Sequence, residues 1–243
     1  MDTEKKRRKT GWGFRLMMIV LIGIAGFSAF QIGKILWEYH VGTKAYEEVQ
    51  ELAYSDGDDE REIDFDALRR ENQDIKAWLY SEDTPIDYPV VQGEDNQYYL
   101  YRMFDGTWNG KGSLFVDFRC EKPFEDFNTI IYGHRMKDGS MFHSLTKYEK
   151  KSYYEEHPVL ELTTPEKAYD VEVFAVIRIP SDSPMYQWSF ENREARELYL
   201  QDVKEQNLLQ IDVPVTADDN IVMMSTCTYE FEEARLVVYG KLT

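Results

Sequence analysis

Cys227 ends an apolar run, Ile221-Val-Met-Met-Ser-Thr-Cys227, and Arg235 follows eight positions later. A thiol leaving a β-strand beside a fixed cation suits an activated nucleophile better than a packing residue. His134 stands in a matching place. It ends Ile130-Ile-Tyr-Gly-His134, where a hydrophobic strand gives way to the polar Arg135-Met-Lys-Asp-Gly139 and Gly133 lets the backbone turn. The other histidines have ordinary settings: His40 beside a long apolar stretch, His143 in a helix or turn with Met141 and Leu145, and His157 before Pro158. Cys227, His134 and Arg235 together divide the labour of acyl transfer. The thiolate attacks a carbonyl, the imidazole protonates the departing amine and later deprotonates the incoming nucleophile, and the guanidinium faces the developing oxyanion. Two plainer readings stand beside this one. Arg235 also suits a surface ion pair with Glu232 or Glu233. Cys227 and Cys120 are the only cysteines, and a disulfide between them would consume the nucleophile. Cys120, in Phe118-Arg-Cys-Glu-Lys122, otherwise reads as an ordinary thiol.

The elements that must position these groups are short strands. Asp87–Gln92, Gly112–Asp117, Asn128–Tyr132, Val159–Thr163, Tyr169–Ile177, Ile221–Met224 and Leu236–Tyr239 are rich in β-branched and aromatic residues and are bounded by turn formers, which predicts an all-β barrel or sandwich. One helix interrupts them, from a cap at Ser189 to about Leu209, with Ala195, Leu198, Tyr199 and Val203 close to one face. Upstream, Lys44–Tyr54 places Ala45, Val49, Leu52 and Ala53 at helical spacing. Phe65–Trp78 reads as further helical turns, capped by Asp64 with Leu68, Ile75 and Trp78 inward. Between them, Ser55–Glu62 is a solvated acidic linker. It is no calcium loop, because Arg61 stands at the turn-glycine position and Ala67 at the bidentate glutamate position. No metal site is expected.

The N-terminus sets the compartment. Lys5-Lys-Arg-Arg-Lys9 precedes an apolar stretch that runs from Leu16 with few polar breaks to Trp37, with Trp12 and Trp37 at its ends. That length suits one membrane-spanning helix, and the basic flank places the N-terminus in the cytoplasm and the rest outside. A cleaved signal peptide is the alternative, but the stretch is longer than such a core and lacks a clear cleavage site. The expected organisation is a basic cytoplasmic tail over 1–12, an anchor over 13–37, a membrane-proximal helix and acidic linker over 38–64, and a catalytic domain over 65–243. The first 33 residues carry six Lys/Arg against two Asp/Glu, so the remainder is more acidic than the net charge of −17. Such a domain lacks the basic face that phosphate binding needs, which argues against nucleic acid as a partner.

With these residues in view, the chain resembles a class B sortase, a membrane-anchored cysteine transpeptidase of Gram-positive bacteria. The resemblance rests on Ser225-Thr-Cys-Thr228 with Arg235, on Tyr132-Gly-His134, and on Ile86-Asp-Tyr-Pro-Val-Val-Gln-Gly93, Asp95-Asn-Gln-Tyr-Tyr-Leu100 and Gly112-Ser-Leu-Phe115. It implies an eight-stranded sortase β-barrel with N-terminal helices and a late inserted helix. It implies His134, Cys227 and Arg235 as the catalytic trio, and substrate contacts at Asn96, Tyr132 and Ser225 and more loosely along Pro180–Trp188. The implied substrates are secreted proteins with a C-terminal sorting motif, cleaved after its threonine through a thioacyl intermediate. The implied acceptor is an amine of the peptidoglycan cross-bridge or its lipid-linked precursor, and no cofactor is implied. The chain's end at Thr243, directly after the last strand, is unlike pilus-building relatives, and the late helix over about 189–209 with the N-terminal helical region favours class B over the housekeeping class. Thr228 stands where some class B members carry an acidic residue. Two rivals remain: a papain-like peptidase, which usually places cysteine before histidine and on a helix, and a non-catalytic membrane-tethered barrel that binds wall polymer or a partner protein.

Overall fold

A computed structural model describes residues 11–54, 62–227 and 234–243, apart from the side chains of Cys227 and Ala234. Residues 1–10, the core of the acidic linker at 55–61, Thr228, and the glutamates considered as ion-pair partners of Arg235 lie outside the described residues. The chain divides into two compact units, Met1–Thr43 and Lys44–Thr243.

Helix α1, Trp12–Ala53, is the one helix among the described residues that is long and apolar enough to cross a bilayer. In the first unit the side chains from Trp12 to Trp37 are all exposed, including Ile19, Phe27 and Phe30, an arrangement that water does not favour and lipid does. In the second unit the last turns of α1 turn amphipathic. Tyr46, Val49 and Ala53 are buried, whereas Leu52 is exposed and Ala45 only half-buried. The inward stripe therefore includes Tyr46, which the apolar spacing alone overlooks. Gln50 donates to the Asp87 carbonyl at 2.8 Å and Tyr54 donates to the Asp87 carboxylate at 2.5 Å, tying this end of α1 to the barrel.

The barrel closes in the order β1-β2-β3-β4-β7-β8-β6-β5. Its strands are β1 Ile75–Tyr80, β2 Asp87–Val91, β3 Leu114–Val116, β4 Asn128–His134, β5 Val159–Thr163, β6 Ala168–Pro180, β7 Ile221–Cys227 and β8 Ala234–Leu242. Pairs β2·β3 and β4·β7 are parallel and the rest antiparallel. All seven residues of β4 are buried, as are Ile221–Thr226 of β7. Both therefore read as unbroken apolar runs, the pattern of strands covered on both faces.

Two expectations need correction. Helix α2 is only Phe65–Glu71, with Asp64 capping it by accepting from the Ala67 N–H at 2.8 Å, and Ile75 and Trp78 belong to β1 instead. The chain turns extended at Asn72, and the apparent helical spacing of Leu68, Ile75 and Trp78 spans two successive elements. The late helix α4, Arg193–Glu205, is capped by Asn192, which accepts from the Ala195 N–H at 2.9 Å, and not by Ser189. It buries Tyr199, Leu200 and Val203 and leaves Leu198 exposed, because the Tyr199 hydroxyl must reach inward to the Met185 carbonyl at 2.9 Å and the Tyr239 hydroxyl at 2.8 Å. Short α3, Lys151–Glu156, follows a 3-10 helix over Phe142–Glu149 that holds His143.

Gly133 also differs in role from the turn read in the sequence. It lies inside β4, and a Cβ there would stand 2.5 Å from Leu114 Cδ2 and 2.6 Å from Phe142 Cδ2. The glycine is needed for close packing directly before His134. Gly133→Ala is expected to destabilise the domain by about 1–3 kcal/mol through overpacking, read as a lower thermal midpoint.

Candidate functional site

The two parallel strands β4 and β7 pair in register from Asn128↔Ile221 to His134↔Cys227. Side chains alternate between faces along a strand, so Tyr132 and His134 share a face of β4, and Ser225, paired with Tyr132, shares it on β7. Position 227 has the same parity as Ser225. The backbone thus ends both strands with the candidate base and the candidate nucleophile opposite each other, on neighbouring strands roughly 4.8 Å apart.

His134 is 6 % exposed and its orientation is fixed. Nε2 lies 2.6 Å from the carbonyl oxygen of Leu100, at the end of the 3-10 turn Tyr98–Leu100, and a carbonyl only accepts, so Nε2 carries the proton. That tautomer leaves Nδ1 as the nitrogen that gains and loses a proton. The Tyr101 ring packs at 6.4 Å from the imidazole.

Beside the strand ends opens a cleft of about 600 Å³, within the range of small-ligand sites. Three residues singled out in the sequence meet there: Asn96, Tyr132 and Arg235. Arg235 enters from β8, and its Nε is buried with no hydrogen-bond partner among the described residues. Ser225 is placed differently. It is fully buried and its hydroxyl is 2.8 Å from the Tyr186 hydroxyl, so it meets the cleft only through Tyr186, which lines it. Ser181, Asp182 and Ser183, from the segment after β6, also line the cleft. Cys120 is buried and free, and burial pushes its thiol up to about 11, the inert end of thiol chemistry.

The sequence reading overlooked the group that organises this wall. The side chain of Asp117 is fully buried and accepts from Tyr132 at 2.9 Å, Asn96 at 2.9 Å and Arg119 at 2.8 and 2.6 Å. The Arg119 guanidinium, held in this two-pronged pair, stacks 3.5 Å above Trp188. Burial alone would push the Asp117 carboxyl up, but Arg119, Asn96 and Tyr132 outweigh it and hold it below the ordinary carboxylate range. Burial and the neighbouring Asp117 carboxylate push the Tyr132 phenol far up, so it stays a donor. One pattern in the sequence points to this arrangement: an aspartate closing an apolar strand, with an arginine two residues on.

Because the folded-state pKa of Asp117 is depressed, its contribution is complete above the unfolded value of about 4 and is lost as pH falls through the lower folded value. Asp117→Asn is expected to cost about 2–3 kcal/mol at neutral pH, since Arg119 keeps some access to water, and to flatten the decline in thermal midpoint below pH 4. Melting curves across pH 2–7 check both.

A family model described as a sortase domain matches residues 79–243. The chain is 36% identical over 233 residues to sortase B of Listeria monocytogenes, covering 93% of this chain and 95% of that protein. Among solved structures, sortase B from B. anthracis superposes with a TM-score of 0.77 at 37% identity, covering 86% of this chain and 99% of that one. A Staphylococcus aureus sortase B–substrate complex gives 0.77 at 31% identity, covering 85% and 98%.

Proposed function

Since this chain belongs to the sortase family, as a sortase B-type transpeptidase with a cysteine-based activity in cell-wall sorting, we propose that Cys227, His134 and Arg235 perform its acyl transfer. The observation that carries the assignment is the pairing of His134 with Cys227 at the ends of two parallel strands, beside a cleft that Arg235 lines. Cys227 attacks the carbonyl of the threonine in a C-terminal sorting motif, and a thioester forms as the peptide C–N bond breaks. His134 Nδ1 gives its proton to the departing amine, while Arg235 donates to the carbonyl oxygen as charge gathers there. An amine of the peptidoglycan cross-bridge or its lipid-linked precursor then attacks the thioester. His134 takes back a proton, and the amide product leaves with the thiolate restored.

Asn96 and Tyr132 contact the sorting peptide from the wall that Asp117 organises, and Ser225 sets the Tyr186 hydroxyl that faces the same peptide. Residues 13–37 anchor the chain with residues 1–12 in the cytoplasm, 38–64 connect, and 65–243 carry catalysis outside; the exposed apolar side chains of α1 support the anchor, and the basic run Lys5–Lys9 supports the orientation.

The test uses the full chain in detergent micelles with a library of fluorogenic sorting-motif peptides, with and without an oligoglycine or diamine acceptor, followed by mass spectrometry. A peptide adduct on Cys227 with cleavage after threonine, released as an amide by the acceptor, supports the reading. Folded protein with a free Cys227 thiol and no adduct from any peptide overturns it.

A further inference from the structure

Tyr46 lies on α1, outside every motif that carries the chemistry, yet it is 4 % exposed. Its ring packs edge-on against Tyr88 at 5.1 Å and beside Phe104 at 5.5 Å. Its hydroxyl donates to the Gly112 carbonyl at 2.6 Å. Gly112 is a point of close approach. Its φ is +60°, and a Cβ added there would stand 2.6 Å from the Leu100 carbonyl oxygen, 2.8 Å from the Tyr99 carbonyl oxygen and 2.9 Å from His134 Cδ2. The glycine therefore sits directly against both the imidazole and the carbonyl that holds it. The next residue straps the same two segments together: the Ser113 N–H donates to the Tyr99 carbonyl at 3.0 Å, and the Ser113 hydroxyl donates to the Arg102 carbonyl at 3.0 Å.

We propose that Tyr46 is a positioning residue for His134: by holding the Gly112–Ser113 peptide, it seats the Leu100 carbonyl on Nε2 and blocks rotation of the ring. His134, the last residue of strand β4, packs against a loop with no regular ladder of its own. The loop is held by the Tyr99–Arg102 segment on one side, by the buried Lys111 ammonium on Asp138 at 2.6 Å, and by the Tyr46 hydroxyl on the Gly112 carbonyl itself. Without that hydroxyl, the Gly112–Ser113 peptide shifts away from the imidazole and the short bond from Nε2 lengthens. The proposal rests on His134 being the acid–base group, and a readout independent of turnover separates the failure of one from the failure of the other.

The test compares Tyr46→Phe with Tyr148→Phe in the full chain in detergent micelles. Tyr148 is a matched control, 1 % exposed and donating to the His157 carbonyl at 2.7 Å, with no part in the site. Both variants lose one buried phenol–carbonyl bond and are expected to lose similar thermal stability. With only four histidines, 15N-histidine labelling resolves the Nε2–H resonance of His134. In Tyr46→Phe that proton is expected to move upfield as its bond to Leu100 weakens, kcat to fall roughly tenfold, and KM for the sorting peptide to stay within about twofold, since Asn96 and Tyr132 on the cleft wall are held by Asp117 and not by Tyr46. In Tyr148→Phe none of the three changes. A wild-type Nε2–H signal in folded Tyr46→Phe, or a kcat loss equal in the two variants, overturns the proposal. If the wild-type chain turns over no peptide at all, the resonance alone decides.

Discussion

Cys227→Ala is expected to abolish transfer, lowering turnover of sorting peptide by at least about 10⁴-fold. The size follows from what the thiol supplies. In the proposed mechanism it makes the covalent bond that splits amide exchange into two easier steps, and among the described residues no neighbouring group in the site is a nucleophile of comparable strength. The only other thiol, Cys120, is buried and pushed up to about 11, so it provides no thiolate to substitute. The peptide should still bind, because the cleft walls come from Asn96, Tyr132 and Tyr186. Fluorescence anisotropy with a labelled peptide should therefore give nearly the wild-type affinity while mass spectrometry finds no adduct. An adduct in Cys227→Ala would relocate the nucleophile.

His134→Ala is expected to lower kcat by about 10²–10⁴-fold, with KM for the peptide little changed, because the imidazole contributes proton transfer and does not line the cleft. The tautomer sharpens the expectation. Leu100 fixes the proton on Nε2, so the lost function is that of Nδ1 alone, and a small base entering the vacated space should restore part of it. Steady-state kinetics with added imidazole check this: partial, concentration-dependent recovery is expected in His134→Ala and none in Cys227→Ala.

The catalytic candidates were legible because strand ends carry a simple signature. An unbroken apolar run that stops at a reactive side chain marks where a buried strand reaches the barrel rim, and His134 and Cys227 both fit it. Their pairing was not legible, because nothing local to either run says that β4 and β7 are neighbours, with β5, β6 and α4 between them in the chain. Seven of the eight strands stood out by composition. Strand β1 did not, since Ile75-Lys-Ala-Trp-Leu-Tyr80 mimics a helical stripe when read together with Leu68. Asp117 escaped for a different reason. A carboxylate at the end of a strand is usually solvated, and its burial shows only once Asn96, Tyr132 and Arg119 are seen to converge on it.

The parallel contact between β4 and β7 also has a kinetic meaning. Parallel neighbours need a crossover, and here it contains most of the second half of the domain, so the contact is among the most distant in sequence that the fold makes. Contacts of that kind form late, after loop-closure entropy has been overcome. As the chain is made, β4 emerges long before β7, and the barrel cannot close until β7 and β8 arrive. Closure of the barrel and the meeting of His134 with Cys227 are then a single event, so nascent or partly folded chains carry the imidazole and the thiol but not their pairing.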